Sequence, residues 1–171
     1  MLSSLCLWLL AGEALSRFPS GRGSSSVPTI MIVDDDANIR AVLKYRFERE
    51  QYTVRLASNG LEALKEIGTQ RPDVIILDLI MPQMDGLQFL SLLKNNPQSQ
   101  CVPVIVLTAL GRTPYDERTR ELGAAGLVTK PFSPRHLVQE VKRVLESAYV
   151  GMGRGETKLS NAPNQSCSGV V

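Results

Sequence analysis

Surplus charge, paired cysteines, long apolar runs and histidine are all scarce in this sequence. Nineteen Lys and Arg against seventeen Asp and Glu leave a formal charge of +2. Even that excess sits in the chain ends, because Val27 to Val150 holds fifteen residues of each sign. Domains that bind nucleic acid concentrate basic residues, so no such partner is indicated. Cys6, Cys101 and Cys167 are odd in number and far apart. They have neither disulfide-framework nor metal-site spacing, which favours a reducing compartment. The apolar stretch Met1 to Ala14 falls short of the roughly 18 residues that a membrane span needs. Gly12-Glu13-Ala14 loosely resembles a small-residue cleavage site, but no Lys or Arg precedes the run, as an export signal usually requires. A disordered or mis-started extension is expected there, without membrane contact.

What remains suits one globular domain with flanking segments. The hydrophobic share of 43% over 171 residues is ordinary for a soluble domain and enough to build a core. Ser16 to Ser26 is a Gly/Ser-rich linker. From Gly151 onward hydrophobic periodicity is lost, as in a flexible tail. The expected division is therefore an extension over 1–26, a domain over 27–150 and a tail over 151–171, with no internal repeat.

Within the domain, short apolar runs alternate with helical patterns. Ile30 to Val33 is a continuous apolar run ending in Asp34-Asp35-Asp36. Ala37 to Glu50 then places Ile39, Val42, Leu43 and Phe47 on one helical face, with Asp36 as its N-cap. Thr53 to Ala57 alternates as a strand, and Asn59-Gly60 opens a helix carrying Leu61, Leu64 and Ile67. Val74 to Leu77 is a second buried run, ending at Asp78. Leu87 to Lys94 is helical, and Val102 to Leu107 is a third buried run that tolerates Pro103 near its start. Thr113-Pro114 caps a short helix to about Leu122. Leu127 to Thr129 is the last strand, and Ser133-Pro134 opens a helix with Leu137, Val141, Val144 and Leu145 along one face. Five βα units with strands apolar on both faces imply an α/β fold, a parallel sheet covered by helices on each side.

Such sheets bind ligands beyond the carboxyl ends of their strands, which selects the residues to inspect. Asp34 and Asp35 follow the first strand, Asp78 the third, Thr108 the fourth and Lys130 the fifth. Taken singly, each has an ordinary structural reading as a turn, cap or loop residue. Together they bring three carboxylates, a hydroxyl and an ammonium to one edge. Three neighbouring anions raise one another's pKa unless a cation intervenes. Oxygen donors with no His or Cys nearby favour Mg²⁺.

The motifs at those positions carry a resemblance. Ile30-Met31-Ile32-Val33-Asp34-Asp35, Ile76 to Gly86 (Ile-Leu-Asp-Leu-Ile-Met-Pro-Gln-Met-Asp-Gly), Val106-Leu107-Thr108-Ala109 and Val128-Thr129-Lys130-Pro131-Phe132 occur in order on the expected elements. From Thr29 to Ala148 the chain resembles the receiver domain of two-component response regulators, of the stand-alone type. The resemblance implies a flavodoxin-like sheet of order 2-1-3-4-5. It makes Asp78 the phosphoacceptor, with Asp34, Asp35, Asp78 and the backbone carbonyl of Ile80 around Mg²⁺. Thr108 and Lys130 would contact the phosphoryl group. A histidine kinase or histidine phosphotransfer protein would be the donor, in the cytoplasm, and the face built from the fourth helix, fifth strand and fifth helix would change shape. A carboxylate at Asp78 can form an acyl phosphate, and a cation and Lys130 can neutralise the transferring group. Gly86 is expected to allow a backbone angle that a side chain forbids.

Three departures qualify the pattern. Leu127 stands where receivers usually carry an aromatic residue, so an aromatic rotamer switch is in doubt. Ile80 and Leu110, two positions beyond Asp78 and Thr108, are both apolar, which points to a long-lived phosphorylated state because neither can orient a water. Nothing resembling an output domain follows Val150, so output would pass through a protein partner or a phosphorelay. The single histidine, His136, is expected on the surface and not as a phosphodonor. Two rival readings are a docking module of receiver fold that needs no phosphorylation, and an aspartate-nucleophile phosphatase. The second fits poorly, because the order of its active-site residues differs.

Overall fold

The computed structural model describes residues 27–108 and 114–153. The extension 1–26, Ala109, Leu110, Thr113 and the tail beyond 153 lie outside them. Five strands run in parallel: β1 (Thr29–Val33), β2 (Thr53–Ala57), β3 (Val74–Asp78), β4 (Val104–Thr108) and β5 (Gly126–Thr129), in the order β2-β1-β3-β4-β5. This is the expected doubly wound order. The helices are α1 (Ala37–Arg49), α2 (Gly60–Thr69), α3 (Gly86–Asn95), α4 (Pro114–Glu121) and α5 (Pro134–Gly153). The last continues past the boundary expected at 150.

The strand residues alternate between two cores. Ile30, Ile32, Ile76, Ile105 and Leu107 pack with Leu43 and Phe47 of α1 and with Leu137, Val141, Val144 and Leu145 of α5. Met31, Val33, Ile75, Leu77, Val104 and Val106 face the other side, against Ala63 of α2 and Phe89, Leu90 and Leu93 of α3. Burying one such side chain fully is worth about 1.5–3 kcal/mol. Strands with no polar position between the two layers therefore have no stable place but the sheet centre. Their side chains turn polar only where the strands end.

Several expectations are corrected. Val42 and Leu61 are more than half exposed, at 55% and 52%. The stripe of α1 that meets the sheet runs Ile39, Leu43, Phe47, at four-residue steps, and Val42 lies on its flank. In α2, Ala63 replaces Leu61 in the contact, where the helix approaches closely: a Cβ on Gly60 would come within 2.7 Å of Met84 Sδ. Pro103 precedes β4, and its carbonyl accepts the Ile75 N–H at 3.0 Å. Cys101 is disulfide-bonded, which the cysteine spacing did not suggest and which does not support the expected reducing compartment.

Candidate functional site

Each polar residue at the sheet edge is delivered by a local device. Asp36 caps α1, accepting the Asn38 N–H at 2.8 Å, so the chain turns immediately after β1 and leaves Asp34 and Asp35 at the strand end. Asp85 caps α3 in the same way, accepting from the Gln88 N–H at 2.7 Å. Between Asp78 and Asp85 the loop turns at Gln83, whose φ is 68°, and the Met84 N–H bonds the Pro82 carbonyl at 2.8 Å. The Gly86 N–H closes the neck of this loop on the Leu79 carbonyl at 2.9 Å.

Gly86 is needed for space and not for a backbone angle, which corrects the sequence expectation. Its φ is not positive. A Cβ there would lie 2.7 Å from Leu79 Cα and 3.1 Å from the Asp78 carbonyl carbon, and closer still to the Asp78 carbonyl oxygen. Backbone atoms cannot swing aside as side chains do.

The devices converge. One carboxylate oxygen from each of Asp34, Asp35 and Asp78 lies within 4.8 Å of the others. Asp34 and Asp78 are buried, at 1% and 7% exposure, whereas Asp35 is exposed. Lys130 reaches across from the end of β5, its Nζ 2.6 Å from Asp78 Oδ2 and 3.3 Å from Asp34 Oδ2. Its own N–H donates to the Thr108 carbonyl at 2.7 Å, tying it to the end of β4. Thr108 is buried beside Thr129 in the strand register. The Ile80 N–H donates to Asp78 Oδ1 at 3.3 Å, while its side chain is 74% exposed. Lys130-Pro131 is a cis peptide. His136 is exposed, as expected, and none of the described acidic-site contacts involves it.

The electrostatics follow from burial and pairing. Burial pushes the Asp34 carboxyl above its usual range; the Asp36 N–H and Lys130 pull it down, and the Asp78 charge adds to the rise. For Lys130, burial favours the neutral amine. The hydrogen bond and charge of Asp78, followed by those of Asp34, outweigh this and raise its pKa. Sequence reading missed Arg40, whose Nη1 donates to the Asp34 carbonyl at 2.5 Å. The available signal was its place four residues after the N-cap Asp36, one helical turn above the acidic loop.

Comparison with known proteins agrees with this fold. The response regulator receiver domain model matches residues 30–142. The chain belongs to that family. A curated relative is the alkaline phosphatase synthesis transcriptional regulatory protein PhoP of Bacillus subtilis. It is 37% identical over 136 residues, covering 80% of this chain and 56% of the relative. Among solved structures, a putative response regulator from Chloroflexus aurantiacus is 34% identical with a TM-score of 0.67, covering 71% of this chain and 99% of that one. The chemotaxis response regulator CheY4 of Vibrio cholerae is 31% identical with a TM-score of 0.66, covering 70% and 99%. The chain spans about half the length of the curated relatives it matches. Those relatives are named as transcriptional regulators and not as enzymes. Receiver domains act in two-component signalling, are phosphorylated by histidine kinases and generally bind Mg²⁺ at an acidic pocket. Among the described residues no helix is long and apolar enough to cross a membrane.

Proposed function

We propose that this protein is a phosphoryl-accepting switch in which Asp78 takes a phosphoryl group from a partner histidine kinase or histidine phosphotransfer protein. The observation that carries the reading is the convergence of Asp34, Asp35, Asp78 and Lys130 at the carboxyl ends of β1, β3 and β5. An Asp78 oxygen forms the new P–O bond as the donor's P–N bond breaks. Lys130 balances charge on the equatorial oxygens, and the Thr108 hydroxyl bonds the bound group.

The three carboxylates are hard oxygen donors close enough to share one cation, and they suit Mg²⁺. Asp34, Asp35, Asp78 and the Ile80 carbonyl would hold it. When bound, Mg²⁺ neutralises charge on the transferring phosphoryl group. Pairing of Lys130 and Thr108 with that group would re-aim the loops after β4 and β5, altering the face built from α4, β5 and α5 for a protein partner. Leu127 lies partly buried on β5 opposite Val106, so transmission rests on Thr108 and Lys130 and not on an aromatic ring. The setting is cytoplasmic, where phosphohistidine donors work.

The test is incubation with acetyl phosphate and Mg²⁺ followed by intact-mass spectrometry. Wild type should gain one phosphoryl group and Asp78→Ala none. Equal labelling of both would refute the assignment. An Asp78→Asn variant that kept full partner response would favour a constitutive docking role instead.

A further inference from the structure

The two carboxylates contributed by the β1–α1 loop are held very differently. Every polar group of Asp34 has a partner: its N–H bonds the Ala57 carbonyl at 3.2 Å, its Oδ1 accepts the Asp36 N–H at 2.8 Å, and its Oδ2 meets Lys130. Its carbonyl is held by Arg40. Asp35 is exposed, and no hydrogen bond from the described residues holds its side chain. The direction of its Cα–Cβ bond, and with it the set of places its rotamers can reach, is therefore set by its backbone. Two peptide units flank it. The unit after it is fixed by the Asp36 N–H bond to Asp34 Oδ1. The unit before it carries the Asp34 carbonyl, and that carbonyl is the one Arg40 grips.

From this arrangement we infer that Arg40 is a positioning residue of the metal site: by fixing the Asp34–Asp35 peptide it aims the Asp35 carboxylate at Asp34 and Asp78. Arg40 touches no carboxylate of the cluster. Its guanidinium is half-buried above the first turn of α1, and its charge is felt at Glu62 of α2, whose carboxylate is engaged by Ser58. The fork geometry of guanidinium suits such a task, because one group can hold a carbonyl while its charge faces a neighbouring acid. Without it the Asp34 carbonyl would turn to water, the peptide could rotate, and Asp35 would sample directions away from the other two. Partners that orient a metal's ligands commonly govern its affinity by ~10–100-fold.

A competing expectation has the opposite sign. If Arg40 acted chiefly by charge, its removal would relieve repulsion of an incoming cation and tighten binding. The experiment therefore discriminates by direction.

The inference rests on the proposed Mg²⁺-dependent reading, and the test separates the two. Mg²⁺ is titrated calorimetrically into the full chain as wild type, Arg40→Gln and Arg40→Lys, with thermal melts of each in EDTA. Arg40→Gln should weaken Mg²⁺ binding about tenfold. Arg40→Lys, which keeps a charge and one donor for the carbonyl, should recover most of the loss. If Arg40→Gln melts too low to titrate in dilute buffer, it and wild type are titrated together in a stabilising osmolyte, and equal Kd values there would assign Arg40 to stability alone and overturn the inference. Unchanged or tighter binding in a folded Arg40→Gln would overturn it too. Absence of Mg²⁺ binding by wild type would instead sink the metal-dependent reading itself.

Discussion

Gly86→Ala pits two physical effects of opposite sign against each other at the neck of the loop that follows Asp78. Gly86 is the first residue of α3, and helix propensity alone would make Ala better there by about 1 kcal/mol. The structure argues the reverse. A Cβ at this position would stand 2.7 Å from Leu79 Cα, closer than a Cβ can come, and a tight 3.1 Å from the Asp78 carbonyl carbon. Both neighbours belong to the backbone at the end of β3, so relief requires α3 to back away from the sheet. That withdrawal would strain the Gly86 N–H bond to Leu79 and the packing of Phe89 and Leu90. Overpacking of this kind costs about 1–3 kcal/mol, or more where nothing can yield. The expected net loss is about 2 kcal/mol, a fall of roughly 8 °C in Tm for a domain of this size. Gly68→Ala in α2 is the matched control. A Cβ there meets nothing within 4 Å, so it should gain about 0.5–1 kcal/mol. Differential scanning calorimetry of both variants decides the matter. A Gly86→Ala protein melting at or above wild type would refute the close-approach argument.

Two further outcomes follow. Ile80→Asn should shorten the lifetime of the phosphorylated protein several-fold, because the exposed Ile80 side chain beside Asp78 cannot orient a water whereas an amide can; equal decay rates by phosphoprotein gel or mass spectrometry would reject this. The second concerns Glu50, whose pKa is lowered by the hydrogen bond from Lys142 and, after the opposing effect of burial, by the charges of Lys142, Arg46 and Arg49. A depressed folded pKa means that its stabilisation is present above the ordinary value of 4.5 and is lost as pH falls through the lower folded value. Urea midpoints should therefore show Glu50→Gln destabilised by about 0.2–1 kcal/mol near neutral pH, with the gap closing below pH 4.5. A gap independent of pH would refute the pairing.

The sheet and the acidic edge were legible because both are written in local pattern. Runs such as Ile30 to Val33 and Val74 to Leu77 have no polar position, so only a strand between two layers accommodates them, and the first polar residue after each is forced to the edge. Helix faces were less legible. Val42 and Leu43 are one position apart on α1, and only the approach of Phe47 and Ile39 to the sheet decides between them. Contacts to backbone were invisible altogether. Arg40 on the Asp34 carbonyl, Lys94 on the carbonyls of Gln100 and Val102, and the crowding at Gly86 all depend on where a neighbouring peptide passes. No residue type in the sequence records that.

The geometry of Lys130 gives the proposed switch its physical scale. Among the described residues it is the one cationic side chain ion-paired with Asp34 or Asp78, and it serves both. On the proposed reading, phosphorylation converts the Asp78 carboxylate into an acyl phosphate whose charge is carried further out, so Lys130 must exchange its 2.6 Å partner for a new one. Removing one member of a buried ion pair costs about 3–5 kcal/mol when nothing replaces it. Moving a two-state equilibrium from 1:99 to 99:1 takes about 5.5 kcal/mol. Lys130 is 27% exposed and finds a new partner, so its re-pairing supplies only part of that bias. The Lys130 N–H is bonded to the Thr108 carbonyl, so any backbone shift that accompanies re-pairing is passed to the junction of β4 and β5. On the proposed reading, the charge event at β3 would thereby reach the strand ends on which the output face is built.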